Sequence, residues 1–330
     1  MDATLRDVHM KGRKLLITGA AGFTGRHAVA YFKAGGAEVT AVVRRPAAES
    51  AVFPEGVQQY VCDLSDRKAV HDMIGQVRPD EVLHLGGRNS VPESWRDPLL
   101  YMETNVMATL YLLEALRAQP ASRILVAGSR LKYRPGTAVG PPHPYSLSKT
   151  LEELVSLAWG TLFKQPVLLA EPCNLIGPGP STGFCSLLAQ HIVRSEAVSG
   201  TDEEIPPFRL SSRIELRDFL DVRDAVRAYD YILRKGETGK VYRIDSGKQR
   251  TLGEIAEKLL AHAAVPVGMD WGPEAGVHAE ADAGVLHGSV TQPETSEDNV
   301  TALGWSAAIP LEKSLADIVD FYRASREGRM

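Results

Sequence analysis

Lys14-Leu15-Leu16-Ile17-Thr18-Gly19-Ala20-Ala21-Gly22-Phe23-Thr24-Gly25-Arg26 is the stretch that decides the fold. Leu15 to Ile17 read as a short buried strand. Glycines follow at Gly19, Gly22 and Gly25, and the pattern turns helical from His27 to Phe32. A pyrophosphate needs this order of strand, glycine turn and helix. It requires a tight turn, close backbone approach, a helix packed against its strand, and N–H groups at the positive end of the helix dipole. A glycine triplet alone marks many ordinary turns. The strand before it and the helix after it make this one a dinucleotide site.

Outward from this unit, the same alternation repeats. Ala37 to Val43 is a second strand, ending in Arg44-Arg45. An acid there would meet the ribose hydroxyl of NAD, whereas an arginine suits the 2′-phosphate of NADP. The residues therefore favour NADP, with NAD as the alternative. Gln58 to Val61 is a third strand, leading to Cys62-Asp63-Leu64, and Asp66 to Val77 is helical. Asp80 to Leu85 is a fourth strand, ending His84-Leu85-Gly86-Gly87. Leu99 to Ala118 reads as one long amphipathic helix containing Asn105. Arg123 to Ala127 is a fifth strand that ends in Gly128-Ser129. Repeated apolar strands alternating with helices predict an α/β fold with a doubly wound parallel sheet. Ligands of such sheets bind beyond the carboxyl ends of the strands, which gathers Gly19, Arg44, Asp63, Gly86 and Ser129 on one edge.

Pro141 to Pro144 lead into Tyr145-Ser146-Leu147-Ser148-Lys149, and the helical pattern continues to Trp159. Residues four apart share a helical face, so Tyr145 and Lys149 can point into one site. The ammonium should lower the phenol pKa and make Tyr145 a usable acid or base. Ser129 could hydrogen-bond the same substrate oxygen. Tyr-x-x-x-Lys alone is common on surface helices; its place after a strand ending in serine is what singles it out.

Val167 to Ala170 is a sixth strand, and Glu171 to Pro180 reads as a Pro- and Gly-rich loop. Helices follow at Phe184 to Ser195, Ala225 to Arg234, Leu252 to Ala263 and Leu311 to Tyr322, with a strand at Lys240 to Asp245. Val265 to Thr291 is poor in large apolar residues. This predicts a dinucleotide-binding Rossmann domain over 1–170, to which a segment of roughly 210–245 returns. A smaller substrate-binding α/β domain fills most of 171–330.

The 330 residues are 44% hydrophobic and carry a net charge of −4, so no global field recruits nucleic acid or an anionic membrane. Cys62, Cys173 and Cys185 have neither disulfide nor metal-ligand spacing, and no metal is expected. Met1 to Gly12 are charged with no apolar core, and no apolar run reaches membrane-span length. A cytoplasmic protein is the expectation.

Taken together, Thr18 to Gly25, Cys62-Asp63-Leu64, His84 to Gly87, Ser129, Tyr145 to Lys149, Asn174 to Gly179 and Arg217-Asp218-Phe219 resemble the extended short-chain dehydrogenase/reductase family of nucleotide-sugar epimerases, dehydratases and reductases. Ile176 to Gly179 and Leu216 to Asp224 are most similar to the GDP-4-keto-6-deoxy-mannose reductases within it. The resemblance implies that Gly19, Gly22, Phe23 and Gly25 hold the pyrophosphate and Arg44 the adenosine ribose or its phosphate. Asp63 and Leu64 would border the adenine, with Leu85, Gly86 and Pro172 lining the cofactor. It makes Tyr145 the acid/base, Lys149 the ribose ligand that tunes Tyr145, and Ser129 the group that polarises the carbonyl. Ser90, Asn174 and Arg217 would hold the nucleotide-sugar, and helices Leu99 to Ala118 and Tyr145 to Trp159 would form a homodimer.

The chain also departs from the family pattern. Arg130 to Arg134 stand where relatives carry acidic residues before a Tyr-Gly, Glu171 stands where they carry an arginine, and 278–288 contains no arginine. The acid and base that dehydration needs are thus missing beside Ser129. The readings that follow are an NADP(H)-dependent reductase of a 4-keto nucleotide-sugar, a 4-epimerase, and a cofactor-binding sensor or scaffold without catalysis.

Overall fold

The computed structural model describes residues 10–45, 53–136, 140–272 and 299–327. The stretch 278–288, singled out for its lack of arginine, lies outside them. The chain divides into two compact units. The first comprises Met1–Pro172, Val226–Ile244 and Gly284–Ser306, and the second Cys173–Ala225, Asp245–Ala283 and Ala307–Met330. Of the 210–245 stretch, the part before Val226 thus stays with the second unit. The reason is pairing: residues 216–221 form a strand of a separate small sheet.

The first unit is built on strands β1 (Lys14–Thr18), β2 (Glu38–Val43), β3 (Gln58–Val61), β4 (Glu81–His84), β5 (Arg123–Ala127), β6 (Val167–Pro172) and β10 (Val241–Ile244). They form one sheet in the order β10-β6-β5-β4-β1-β2-β3, with every neighbour pair parallel. β1 and β6 are apolar almost throughout, as a sheet covered on both faces requires. The strand order reverses between β1 and β4, where Thr18 pairs with His84. A crevice at such a reversal is where ligands of these sheets bind.

Helices α1 (Phe23–Ala34) and α2 (Arg67–Val77) follow β1 and β3. Asp66 caps α2 by accepting from the amides of Lys68 and Ala69. Val70, Met73 and Ile74 of α2 pack with Leu16, Val82, Leu112, Leu116, Ile124 and Leu169 into the core on one side of the sheet. α3 (Val91–Arg96) and α4 (Pro98–Tyr101) come next. The long helix expected from Leu99 to Ala118 is not continuous: a π-helical turn, Met102–Met107, separates α4 from α5 (Ala108–Ala118). Its buried Asn105 holds backbone groups of a neighbouring loop, and widened turns of this kind recur at functional sites. Helix α6 (Pro144–Phe163) carries Tyr145 and Lys149.

In the second unit, β7 (Asn174–Ile176) lies within the stretch read as a loop. It pairs with β9 (Leu216–Asp221), which pairs in turn with β11 (Gln249–Thr251). Three residues between prolines and glycines give too short an apolar run to read as a strand. Helices α7 (Phe184–Val198), α9 (Leu252–Leu260) and α10 (Leu311–Glu327) surround a core of Leu188, Ile192, Phe219, Ile255, Leu315 and Ile318. A two-stranded pair, β8 (Phe208–Arg209) with β12 (Met269–Asp270), completes the unit. Helix α8 (Val222–Lys235) runs across the boundary into the first unit.

Candidate active site

The glycine turn is built by steric necessity. Gly19 follows β1 at φ +64°, a conformation that disfavours any side chain, and a Cβ there would sit 2.6 Å from the Leu85 carbonyl oxygen. A Cβ on Gly25 would come within 2.1 Å of the Gly19 carbonyl oxygen. Gly22 precedes α1 without a side-chain cap, and the first turn of α1 contains no acid. The amides of this turn are therefore not met by a side chain, and no carboxylate repels a phosphate there. These features fit a dinucleotide pyrophosphate at Gly19, Gly22, Phe23 and Gly25.

The other cofactor candidates of the first unit fall into two clusters, with Pro172 apart from both. Gly86 lies against Leu64 and the Thr18 hydroxyl, close enough that a Cβ would meet them at 2.8 and 3.2 Å. Thr18 Oγ1 accepts from the Leu85 amide at 3.1 Å and the Gly86 amide at 3.0 Å, tying this loop to the end of β1. Asp63 and Arg44 are both exposed, Arg44 directly after β2. Hydrogen bonds from the backbone and side chain of Ser65, and then the charge of Arg44, hold the Asp63 carboxyl below the usual range. Pro172, at the end of β6, accepts from the Arg130 amide at 3.4 Å.

Ser129, Tyr145 and Lys149 are brought together. Ser129 follows β5 and is buried; its Oγ accepts from the Leu131 amide at 3.1 Å and hydrogen-bonds Tyr145. Lys149 Nζ donates to the Ala127 carbonyl oxygen at 3.0 Å, at the end of that same strand. Burial pushes the Tyr145 phenol up, and the charge of Lys149 and the hydrogen bond of Ser129 pull it down. The net direction is upward, contrary to the lowering expected from sequence. The lysine acts as expected, but desolvation outweighs it. Tyr145 is thus a neutral proton donor near neutral pH.

Sequence reasoning passed over three supports. His143 caps α6, its Nδ1 accepting from the Ser146 amide at 2.9 Å, and its ring stacks 5.9 Å from that of Tyr145. Tyr101 meets Tyr145 edge-on at 6.2 Å. Asn105 accepts from the Arg88 amide at 2.7 Å and donates to the Arg88 carbonyl at 3.0 Å and to Ser148 Oγ at 2.9 Å. A cap residue before a helix is legible in sequence; the partners of Asn105 are far away in it and are not.

The substrate candidates are placed separately. Ser90, in the first unit, caps α3 through Glu93 at 3.3 Å and accepts a hydrogen bond on its carbonyl from the Tyr101 hydroxyl at 2.7 Å. Asn174 and Arg217 belong to the second unit. Asn174 Nδ2 donates to the Asp218 carbonyl at 3.0 Å, and the Arg217 guanidinium pairs with Glu215.

The two reversals of family pattern meet in space. Lys132 pairs with both Glu171 and Glu153, all three largely buried. Burial pushes the Glu171 carboxyl up to about 7, against the pull of Lys132. The lysine and the glutamate that replace the usual types therefore compensate each other's charge.

A parallel sheet that reverses at a glycine turn, with Ser129, Tyr145 and Lys149 beyond β5, defines a nicotinamide-dependent enzyme of the short-chain dehydrogenase/reductase type. The chain belongs to the NAD dependent epimerase/dehydratase family, whose profile matches residues 15–245. It is 32% identical over 260 residues to GDP-6-deoxy-D-mannose reductase of Pseudomonas aeruginosa, covering 75% of this chain and 79% of that one. A probable UDP-arabinose 4-epimerase of Oryza sativa is 28% identical over 297 residues, covering 78% and 69%. The solved structure of RMD from Pseudomonas aeruginosa complexed with NADPH superposes with a TM-score of 0.71 at 27% identity, covering 94% and 99%. UDP-glucose 4-epimerase of Thermus thermophilus, at 22% identity and a TM-score of 0.76 over 94% and 99%, has the same fold. Among the described residues no helix is long and apolar enough to cross a membrane.

Proposed function

We propose that the chain is an NADP(H)-dependent reductase of a 4-keto (6-deoxy) nucleotide-sugar. The observation that carries this reading is Tyr145, a buried neutral phenol bonded to Ser129 one helical turn from Lys149. Similarity to a protein named as a GDP-sugar reductase supports it. Bound, a nicotinamide would supply a hydride to the carbonyl carbon. Tyr145 gives its phenolic proton to the carbonyl oxygen, Ser129 orients that oxygen, and the Lys149 charge stabilises the phenolate left behind.

Gly19, Gly22, Phe23 and Gly25 hold the pyrophosphate, and Arg44 holds the 2′-phosphate. Asp63 and Leu64 border the adenine; Leu85, Gly86 and Pro172 line the rest. Lys149 reaches the nicotinamide ribose. Ser90, Asn174 and Arg217 bind the nucleotide-sugar. The three cysteines form no disulfide, in keeping with a cytoplasmic enzyme, which cell fractionation checks.

NADPH absorbance followed with a panel of GDP-, UDP- and dTDP-linked 4-keto sugars tests the reaction. Net oxidation with one of them is expected. Interconversion of the 4-hydroxy epimers of a nucleotide-sugar offered in the same panel, with no net change in cofactor, would favour the 4-epimerase reading, which the similarity to a UDP-arabinose 4-epimerase supports. NADPH binding without turnover of any sugar would favour the sensor.

In the same titrations NADPH should bind about tenfold or more tightly than NADH, the worth of a charge-assisted hydrogen bond. Arg44→Ala should erase that preference. Selectivity unchanged by Arg44→Ala would remove the case for NADP.

We further propose a homodimer. Leu99, Met107, Leu154 and Leu162 are 72%, 38%, 45% and 69% exposed on α4, the π-helical turn and α6, more apolar surface than these neighbouring helices can shed within the unit. Light scattering at micromolar protein should give the mass of two chains, and a monomer mass would refute it.

A further inference from the structure

Lys149 carries three N–H donors and no acceptor. One goes to the Ala127 carbonyl oxygen and one to Glu152 Oε2, at 3.0 and 2.7 Å. The Lys149 and Glu152 side chains are 8% and 1% exposed. An ammonium so far from water needs an opposite charge to remain an ammonium, and removing that charge leaves it uncompensated. Glu152 stands one turn along α6 from Lys149 and is its partner within the first unit.

Glu152 is in turn held by a chain of hydrogen bonds whose proton positions can be worked out. Thr18 Oγ1 accepts from the amides of Leu85 and Gly86, which occupies both its lone pairs. Its own hydrogen must then go to His84 Nδ1, at 2.7 Å. The His84 proton therefore sits on Nε2 and is donated to Thr109 Oγ1 at 2.9 Å. Burial first, and then the charge of Lys149, push the His84 pKa down to about 3, so the ring stays neutral. The single Thr109 hydrogen faces the Asn105 carbonyl oxygen at 2.7 Å and Glu152 Oε1 at 3.3 Å. The Asn105 carbonyl is the nearer acceptor of that hydrogen, and Glu152 Oε1 shares it at the longer distance, so Thr18, His84 and Thr109 reach Glu152 through a bifurcated contact.

We propose that Glu152 is a positioning residue that keeps Lys149 charged and aimed, and that Thr18, His84 and Thr109 hold Glu152 for this purpose. The proposal rests on Lys149 being the ribose ligand of the cofactor. The groups that act on Lys149 are Tyr145 and Glu152 on α6, His84 on β4 and the Ala127 carbonyl at the end of β5. Of these, His84 is neutral and Tyr145 is un-ionised near neutral pH, so among the described residues Glu152 is the acid paired with Lys149; burial pushes its own carboxyl up, while the Lys149 charge and the hydrogen bonds from Lys149 and Thr109 pull it down. Burial pulls the Lys149 pKa down, while the Glu152 and Tyr145 charges and the Glu152 hydrogen bond raise it to a net position above the ordinary lysine value. With Glu152 gone, the lowering by burial is left largely unopposed, and the ammonium is lost as pH rises through the new, lower value.

The test is NADPH binding by the full chain, read by fluorescence titration between about pH 7 and about pH 9, where the cofactor phosphates are ionised. Wild-type affinity should change less than about threefold over this range. Glu152→Gln should weaken with pH until, near the upper end, it binds no better than Lys149→Met, at least about tenfold below wild type. Glu152→Asp, which retains the carboxylate, should recover part of the loss. Glu152→Gln binding as tightly as wild type near pH 9 would overturn the proposal.

A second measurement reads the charge on Lys149 directly. The ¹⁵Nζ resonance of Lys149, assigned from its loss in Lys149→Met, should stay that of an ammonium in wild type to at least about pH 10. Deprotonation below about pH 9 would also overturn the proposal. If Lys149→Met bound NADPH as tightly as wild type, the ribose reading of Lys149 would fail instead, while the same resonance in Glu152→Gln, expected to lose its proton at lower pH than in wild type, would still decide whether Glu152 holds the charge.

Discussion

Tyr145→Phe is expected to lower turnover by about a hundred- to ten-thousand-fold, the usual worth of a positioned acid, while leaving NADPH affinity unchanged. The ring of Tyr145 lies against His143 on one side and Tyr101 on the other, so phenylalanine fills the same space. Only the hydroxyl is removed, and with it the proton that the carbonyl oxygen must receive. The glycine turn and Lys149 remain, so the parts assigned to the cofactor are intact. Single-turnover NADPH oxidation beside a binding titration separates the two quantities. A loss of less than about threefold in turnover would mean that Tyr145 is a packing residue, and the reductase reading would fall.

The second large effect is expected at Gly25. A methyl group there would stand 2.1 Å from the Gly19 carbonyl oxygen and 2.7 Å from Ala20 Cα, both of them backbone atoms that no side-chain rotation can clear. Gly25→Ala must push α1 away from the turn that follows β1, so NADPH affinity should fall by about a hundredfold and stability by about 3 kcal/mol. Gly75→Ala is the matched control, because a methyl there meets nothing within 4 Å and lies inside helix α2. It should raise stability by up to about 1 kcal/mol and leave binding alone. Thermal melts with NADPH titrations check both variants. Near-wild-type NADPH affinity in Gly25→Ala would show that close approach of α1 to the turn is not what makes the site.

Much of this architecture is legible in the sequence because it is local. The strands of the large sheet other than β3 are mostly short apolar runs, and each glycine or serine that ends one is adjacent to it in the chain. The offset of four between Tyr145 and Lys149 is likewise a property of one helix. What the sequence does not display is contact between distant positions. Within the π-helical turn, Asn105 bonds to Arg88 and Ser148, 17 and 43 residues away. The sign of the Tyr145 shift depends on how deeply the phenol is buried, which no spacing reveals. In sequence Lys132 and Glu171 are two separate departures from the family pattern, and only their pairing shows one exchange of charge. β7 escaped notice because three residues among prolines and glycines carry no periodicity.

Helix α6 is built inside out. The residues it buries are Tyr145, Ser146, Ser148, Lys149, Thr150, Glu152 and Ser156, while Leu154, Leu162 and Phe163 face outward. Its attachment therefore draws on directional polar contacts as well as on Leu157 and Trp159, which pack on the core of the first unit, and among the described residues nothing covers Leu154 or Leu162. If a second copy covers that side, part of the energy that holds the helix is deferred to assembly. Mass action then enters the stability of the chain: the melting temperature should climb as the protein is concentrated and drift down on dilution. Robustness would be a property of the solution rather than of the single polypeptide.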